Sequence, residues 1–384
     1  MEAKDSQAIA GNAADKVDRD SKVDSVSKVL NVSNDNHTQH PKHGWEVKPF
    51  EDCILKVKYP TKIPSSHYLK EGVYPIVSQE DELISGYWNN INDIFKVTSP
   101  VVIFGDHTRI IKYVDFDFVL GADGVKILQP IKDIKAKFLK LYLEYSKIPS
   151  LGYSRHYKLL KEISLPIPPM EEQERIVAEL DCLSGVIEKK RQQLKEYDAL
   201  AQSIFNDMFG DPISNEKGWE VKRLIDVVKM QRGFDLPVQE RDNSGTIPIF
   251  GSNGIIGCHS SHKAEYGIIT GRSGTLGEVY SCDKPFWPLN TTLFSVDTHG
   301  NNIIFLKYLM ANFHLERFKA GAGVPTLNRN EFHNELIPNI SLSLQQEFAE
   351  KVEAIEKQKE LVKQSIAEAE TLFNARMEYY FGDT

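Results

Sequence analysis

Two stretches of the chain carry apolar residues at alternating steps of four and three. The first runs Ile176, Leu180, Leu183, Ile187, Leu194, Tyr197, Ala201, Ile204 and Met208, with Lys190 breaking the stripe. The second runs Phe348, Val352, Ile355, Val362, Ile366, Ala369, Phe373 and Tyr380, with Lys359 and Arg376 breaking it. A repeat near 3.5 residues sustained over more than four heptads predicts helices of the coiled-coil kind. Pro168-Pro169 suits the start of the first helix, and Ser341 and Ser343 suit the start of the second. Gly210 and Gly382 suit their ends. At 1.5 Å per residue each helix would reach about 60 Å. Two narrow, similar stripes in one chain favour an antiparallel pair; the alternative is that each helix packs on its own domain.

Between and before these helices the pattern shortens. Apolar runs bounded by turn residues predict strands at 100–104, 116–120, 124–128, 247–250, 266–270, 277–280 and 292–296. Residues 137–147 and 302–319 are predicted to be helical. Gly254, Gly257, Gly271, Gly274 and Gly277 imply tight turns. The overall class is therefore mixed α/β, in the α+β sense. Residues 1–43 are polar and lack aromatic residues, so a disordered tail is expected there. Val17, Val23 and Leu30 in it could mark a short amphipathic helix.

The chain also repeats itself. Gly44-Trp45-Glu46-Val47-Lys48 returns as Gly218-Trp219-Glu220-Val221-Lys222. Phe138-Leu139-Lys140 returns as Phe305-Leu306-Lys307, Leu165-Pro166 as Ile337-Pro338, Gln173 as Gln345, and Phe209-Gly210-Asp211 as Phe381-Gly382-Asp383. Five matches in one order, at shifts close to one another, describe two copies of a domain-plus-helix unit. The period is far too long for a solenoid. The expected boundaries are a tail at 1–43, a first domain at 44–168, a long helix at 169–210, a second domain at 211–342 and a second long helix at 343–384.

Composition adds limits. The 384 residues are 41% hydrophobic and 26% charged, which excludes collagen-like and wholly disordered classes. There is no run of about 18 apolar residues and no apolar leader, so a cytoplasmic location is expected. Cys53, Cys182, Cys258 and Cys282 are too far apart for a zinc or disulfide framework, and reduced thiols are expected. The net charge of −8 argues at first against nucleic acid. The acidity is concentrated, however: residues 169–217 carry −5 and residues 343–384 carry −4, while 44–168 carry +2 and 218–342 are neutral. The two large domains can therefore bind DNA, although their charge does not require it.

Catalytic signatures are missing. Gly271-Arg272-Ser273-Gly274 lacks the lysine and spacing of a phosphate loop. No GxGxxG opens a helix after a strand, so no dinucleotide or S-adenosylmethionine site is expected. No Asn-Pro-Pro-Tyr run, GxSxG elbow or HExxH helix occurs. His37, His40 and His43 read as a solvated linker. Cys258, His259 and His262 lack a further ligand pair for a metal. No cofactor, metal or catalytic residue is expected.

What remains is loop chemistry suited to a duplex: arginine for guanine, amides for adenine, lysine and aromatics for the backbone. The candidates in the first domain are His107, Arg109, Lys112, Arg155, His156 and Lys158. Those in the second are Arg232, Lys263, Arg272, Ser273, Asn328 and Arg329. Ordinary solvated loops are the plain alternative for each.

These pieces resemble the specificity subunit of type I restriction–modification systems. The resemblance covers residues 44–384. It rests on the Gly-Trp-Glu-Val-Lys domain starts and on the strand–turn runs 102–106 and 267–272. It also rests on Pro285-Phe286-Trp287-Pro288-Leu289-Asn290, and above all on 165–176, where Leu-Pro-Ile-Pro-Pro-Met-Glu-Glu-Gln-Glu-Arg-Ile opens the first long helix. It implies two target-recognition domains, each reading half of a split double-stranded DNA site, on paired antiparallel helices that act as a ruler. It further implies docking of two methyltransferase subunits, with restriction subunits joining that core, and no activity in this chain alone. The polar lead of 43 residues departs from the family's usual early start. A self-sufficient methyltransferase or nuclease, and a protein-only coiled-coil scaffold, are the competing classes.

Overall fold

The computed structural model describes residues 44–121, 124–152, 154–242, 244–321 and 325–382. The expected tail, with its short helix, lies outside the described residues. The chain forms two compact units, one ending at Met170 and the other spanning Glu171–Gly382.

In the first unit, strand Glu46–Pro49 pairs antiparallel with Ser164–Ile167, tying the start of the domain to its end. An antiparallel sheet follows in the order Ile54–Leu55, Val125–Pro130, Val101–Gly105, Ile111–Val114. Val101–Gly105 is buried throughout, as a strand covered on both faces should be. Helix Ala136–Tyr145 buries Phe138, Leu139, Leu141 and Leu143. A second sheet sets Phe118–Gly121 parallel to Tyr74–Val77, with Gly86–Trp88 antiparallel beyond.

The second unit repeats this frame. Val221–Arg223 pairs antiparallel with Leu336–Pro338. The main sheet runs Lys229–Arg232, Thr292–Asp297, Gly267–Gly271, Val279–Cys282. Helix Ile303–Asn312 buries Phe305 and Leu306, the counterparts of Phe138 and Leu139. Its lesser sheet again holds a parallel pair, Ile247–Gly251 beside Trp287–Pro288, with Gly254–His259 antiparallel beyond. The duplication read in the sequence is thus one of topology. The helix expected over 302–319 is shorter: it stops at Asn312, His314 takes φ 52°, and a 3-10 turn covers Leu315–Phe318. A left-handed residue cannot continue an α-helix.

Both long helices are present, Met170–Phe209 and Leu342–Phe381, at 40 residues each. Gly210 ends the first in the left-handed region, φ 74°, and its N–H donates to Asn206. Gly382 ends the second in an extended conformation instead. The two helices lie antiparallel. Glu179 meets Arg376 and Tyr380, Arg191 meets Glu370 at 2.7 Å, and Asp198 meets Lys359 at 2.7 Å. Partner numbers rise on one helix as they fall on the other.

The seam departs from the sequence stripe in detail. Ile176, Leu180, Ile187, Phe348, Val352, Ile355 and Val362 are buried. Leu183, Leu194, Tyr197, Ile204, Ile366 and Phe373 are only half-buried. Phe205 and Phe209, which the stripe passed over, are buried in a ring cluster with Phe305 and Phe348. A straight helix drifts about 20° per heptad against a 3.5 repeat, so the buried face moves along its length. Here the end of the first helix turns that face into the core of the second domain. Gln345 joins the second helix to the same core, donating to Asn301 and Ile340 and accepting from the Asn302 N–H.

Candidate nucleic-acid interface

In each unit the buried middle strand of the main sheet ends in a glycine, Gly105 or Gly271, followed by a loop. The glycine is required at both. A β-carbon would collide with the Thr108 hydroxyl in the first and with the Thr275 carbonyl oxygen in the second. The loop can fold back over the strand end only because that carbon is absent.

In the first unit Asp106 follows the glycine and is 2% exposed. Its carboxylate accepts from the Tyr157 N–H at 2.7 Å, and Lys126 Nζ stands 4.0 Å away and 5.1 Å from the Tyr157 ring. Its carbonyl accepts from the His156 N–H at 2.8 Å and meets His156 Nδ1 at 2.9 Å. The Leu151 N–H donates to His156 Nε2 at 2.9 Å, so Nδ1 is the donor to Asp106. Asp106 therefore clamps residues 154–158 onto the 105–110 loop. His107 is half-buried, its N–H pointing to Gln79 Oε1, and its Nδ1 has no partner. Arg109, at φ 63°, donates to the Ile148 carbonyl. Arg155 and Lys158 are exposed on the clamped loop.

Two expected contact residues are removed by this geometry. Lys112 is 6% exposed, and its ammonium donates to the carbonyls of Ser78 and Glu82. Burial lowers its pKa. His156 is fully buried with both ring nitrogens engaged. Neither can touch a phosphate or a base; both hold loops in place.

In the second unit Arg272 occupies the position of Asp106. Its Nε donates to the Asn290 carbonyl at 2.9 Å, and its own carbonyl accepts from the Leu327 N–H at 2.7 Å. The Asn290 amide donates to Asp235, which stands 3.7 Å from Arg232. Arg232 and Arg272 are thus linked through Asp235 and Asn290, two residues the loop reading did not single out as contacts. Ser273 bridges to Thr326. Lys263 lies apart from that network, its ammonium 5.0 Å from the Trp287 ring and 5.5 Å from the Phe234 ring. Asn328 caps the turn Arg329–Phe332 by accepting from the Asn330 N–H, so part of its hydrogen-bonding capacity is spent locally. His259 accepts from the Asp242 N–H and His262 pairs with Glu265, so both have partners within the protein. Among the described residues no helix is long and apolar enough to cross a membrane.

Comparison with known proteins supplies the family context. The family described as type I restriction modification DNA specificity domain matches residues 42–196 and again 216–371. The chain is 35% identical over 144 residues to the type I restriction enzyme MjaIX specificity subunit of Methanocaldococcus jannaschii, covering 33% of this chain and 32% of that protein. It is 26% identical over 144 residues to the EcoR124I/EcoR124II specificity subunit of Escherichia coli, covering 35% of this chain and 36% of that one. The matched stretches therefore span about a third of the length of these relatives. Among solved structures, the S subunit of a type I system from M. genitalium superposes with a TM-score of 0.56 at 16% identity, over 88% of this chain and 96% of that one. At that identity the likeness is one of fold.

Proposed function

The chain belongs to the type I restriction–modification DNA specificity family, with the family's domain present twice, and we propose that it recognises an asymmetric, bipartite DNA site for a methyltransferase and restriction complex. Each domain would read one half-site through its strand-end loop. The observation that carries this reading is the pair of equivalent strand ends with different chemistry, Asp106–His107–Arg109 in one domain and Arg272–Ser273 with Arg232 in the other. A duplicated frame supplies the geometry of a two-part site; unlike loops supply unlike halves.

The contact residues proposed on this basis are His107, Arg109, Arg155 and Lys158 in the first domain. In the second they are Arg232, Lys263, Arg272, Ser273, Asn328 and Arg329. Each good base contact would contribute about 1–3 kcal/mol of discrimination. Phosphate contacts would make affinity fall with salt. The long helices would serve as spacer and as the docking surface for two methyltransferase subunits, through which restriction subunits join. The chain alone would neither methylate nor cleave. A cytoplasmic location follows from acting on cellular DNA.

The test uses the chain co-expressed with its methyltransferase partner. Four residues inserted beside Lys190, with the stripe continued, add about 6 Å at 1.5 Å per residue. The rise of DNA is about 3.4 Å per base pair. Methylome sequencing should show the gap between half-sites lengthened by one or two base pairs with both half-sites unchanged. An unaltered gap contradicts the spacer role, and methyl transfer by the purified chain alone contradicts the non-catalytic reading.

A further inference from the structure

The apolar stripe of the second long helix is broken by Lys359 and Arg376, and both charges face the first helix. Lys359 Nζ lies 2.7 Å from Asp198 Oδ1 and 2.8 Å from Glu356 Oε1, and its side chain is 13% exposed. Arg376 binds both carboxylate oxygens of Glu179, and the Tyr380 hydroxyl donates to the same carboxylate at 2.6 Å. The Arg376 guanidinium also lies 4.7 Å from each of the Tyr379 and Tyr380 rings.

Between the two charged pairs the apolar seam is only partly closed. At the end near Phe205 the aromatic core of the second domain anchors both helices, so a different stagger beyond it requires a heptad to loop out of one helix. Away from it Leu183, Leu194, Ile366 and Phe373 are half-buried. Such a seam repeats every seven residues, so a local slip of one heptad, about 10 Å at 1.5 Å per residue, would meet similar apolar partners. The charged pairs do not permit it. A slip one way sets Lys359 against Arg191 while giving Arg376 a new partner in Glu172, so there Lys359 alone opposes the slip; a slip the other way sets Lys359 against Phe205, Arg376 against Val186 and Glu370 against Asp198. Each alternative brings like charges together or buries a charge on an apolar residue.

We propose that Lys359 and Arg376 are register pins, positioning residues that hold the helix pair in one stagger through Asp198 and Glu179. Their influence on DNA spacing rests on the spacer role proposed above. Their effect on register does not.

The discriminating variant is Lys359→Leu with Arg376→Leu in the full chain, which completes the apolar stripe. Removing only the cations leaves Asp198 and Glu179 facing leucine, so some stability is expected to be lost along with the register. Nitroxides at Cys182 and Lys363→Cys, in a chain carrying Cys258→Ser and Cys282→Ser, report the stagger by electron–electron resonance. The parent should give one narrow distance. The leucine pair should add a displaced or much broader population. A single unchanged distance would overturn the proposal. A second comparison guards against misfolding. Arg376→Glu alone should broaden the distribution by facing Glu179, and adding Glu179→Arg should restore one distance; failure of the exchange to restore it also overturns the pins. If the leucine pair changes the stagger but the methylated gap stays fixed, the pins stand and the spacer reading fails.

Discussion

The two domains are built on the same frame and finish it with opposite chemistry. In both, a buried strand ends in an obligatory glycine, and the next residue receives a backbone bond from a later loop, His156 to Asp106 and Leu327 to Arg272. In the first domain that residue is a buried acid whose carboxylate is occupied inside the protein. In the second it is a half-buried arginine tied back through Asn290. The frame is therefore separable from the surface it presents. A duplicated fold can keep its register bonds while the side chains that face a ligand diverge, because those bonds are made by backbone atoms.

The largest effect that breaks the comparison is expected where the second unit has no separate core for its helices. Phe205 is fully buried, with ring centroids 5.1 Å from Phe209 and 5.6 Å from Phe348. Phe205→Ala should cost about 3–5 kcal/mol, read by denaturant unfolding, and should loosen the second domain and the helix pair together. Separate transitions for those two would contradict a shared core.

A smaller effect sharpens the contrast at the strand ends. Asp106→Ala leaves the half-buried Tyr157 N–H without its acceptor and should cost about 1 kcal/mol or somewhat more, whereas Asp106→Asn retains an acceptor and should cost less. Arg272→Ala removes one hydrogen bond, about 1 kcal/mol, yet should relax base preference in one half-site. If Asp106→Ala leaves stability untouched while Arg272→Ala unfolds the second domain, the assignment of frame and surface is reversed.

Acid should act on the helix pair in a definite direction. Hydrogen bonds from Arg376 and then Tyr380 hold the Glu179 carboxyl below its ordinary value. A carboxylate with a lowered folded pKa contributes stability above its unfolded pKa and loses it as pH falls through the folded value. Stability should therefore decline below about pH 4.5, the ordinary carboxylate value, more steeply in the parent than in Glu179→Gln. Equal acid profiles for the two would remove the Glu179 contribution.

The smallest effect concerns the thiols. Cys53 is fully buried, and burial pushes its pKa up to about 11, while Cys182 is exposed on the first long helix. A thiol reagent at neutral pH should label Cys182 first and leave Cys53 untouched in the folded chain. Early labelling of Cys53 would mean that the first domain opens.

Much of this architecture was legible in the residues. The long helices declared themselves through sustained periodicity, and the repeats of Trp45 and Phe138 announced two copies. The strand Val101–Gly105 followed from an unbroken apolar run. The strand-end equivalence of Asp106 and Arg272 was half legible: they close the runs 102–106 and 267–272 at a separation close to that of Phe138 and Phe305, but their side chains share nothing. Lys112 and His156 misled because residue type favours solvent and nucleic acid, whereas the carbonyls that capture them come from positions distant in sequence. Phe205 and Phe209 fell outside the stripe because a fixed 3.5 repeat ignores the drift of a straight helix. Lys359 and Arg376 were visible as interruptions, but their meaning needed the partner helix.

The central claim is that each domain reads its own half of one site. It is tested most directly by replacing residues 44–165 with the corresponding domain of another family member, leaving the helices and second domain intact, and sequencing the methylome of cells that also carry the methyltransferase partner. The account predicts a new first half-site, with the second half-site and the gap unchanged. A change in both half-sites, or in neither, would contradict it.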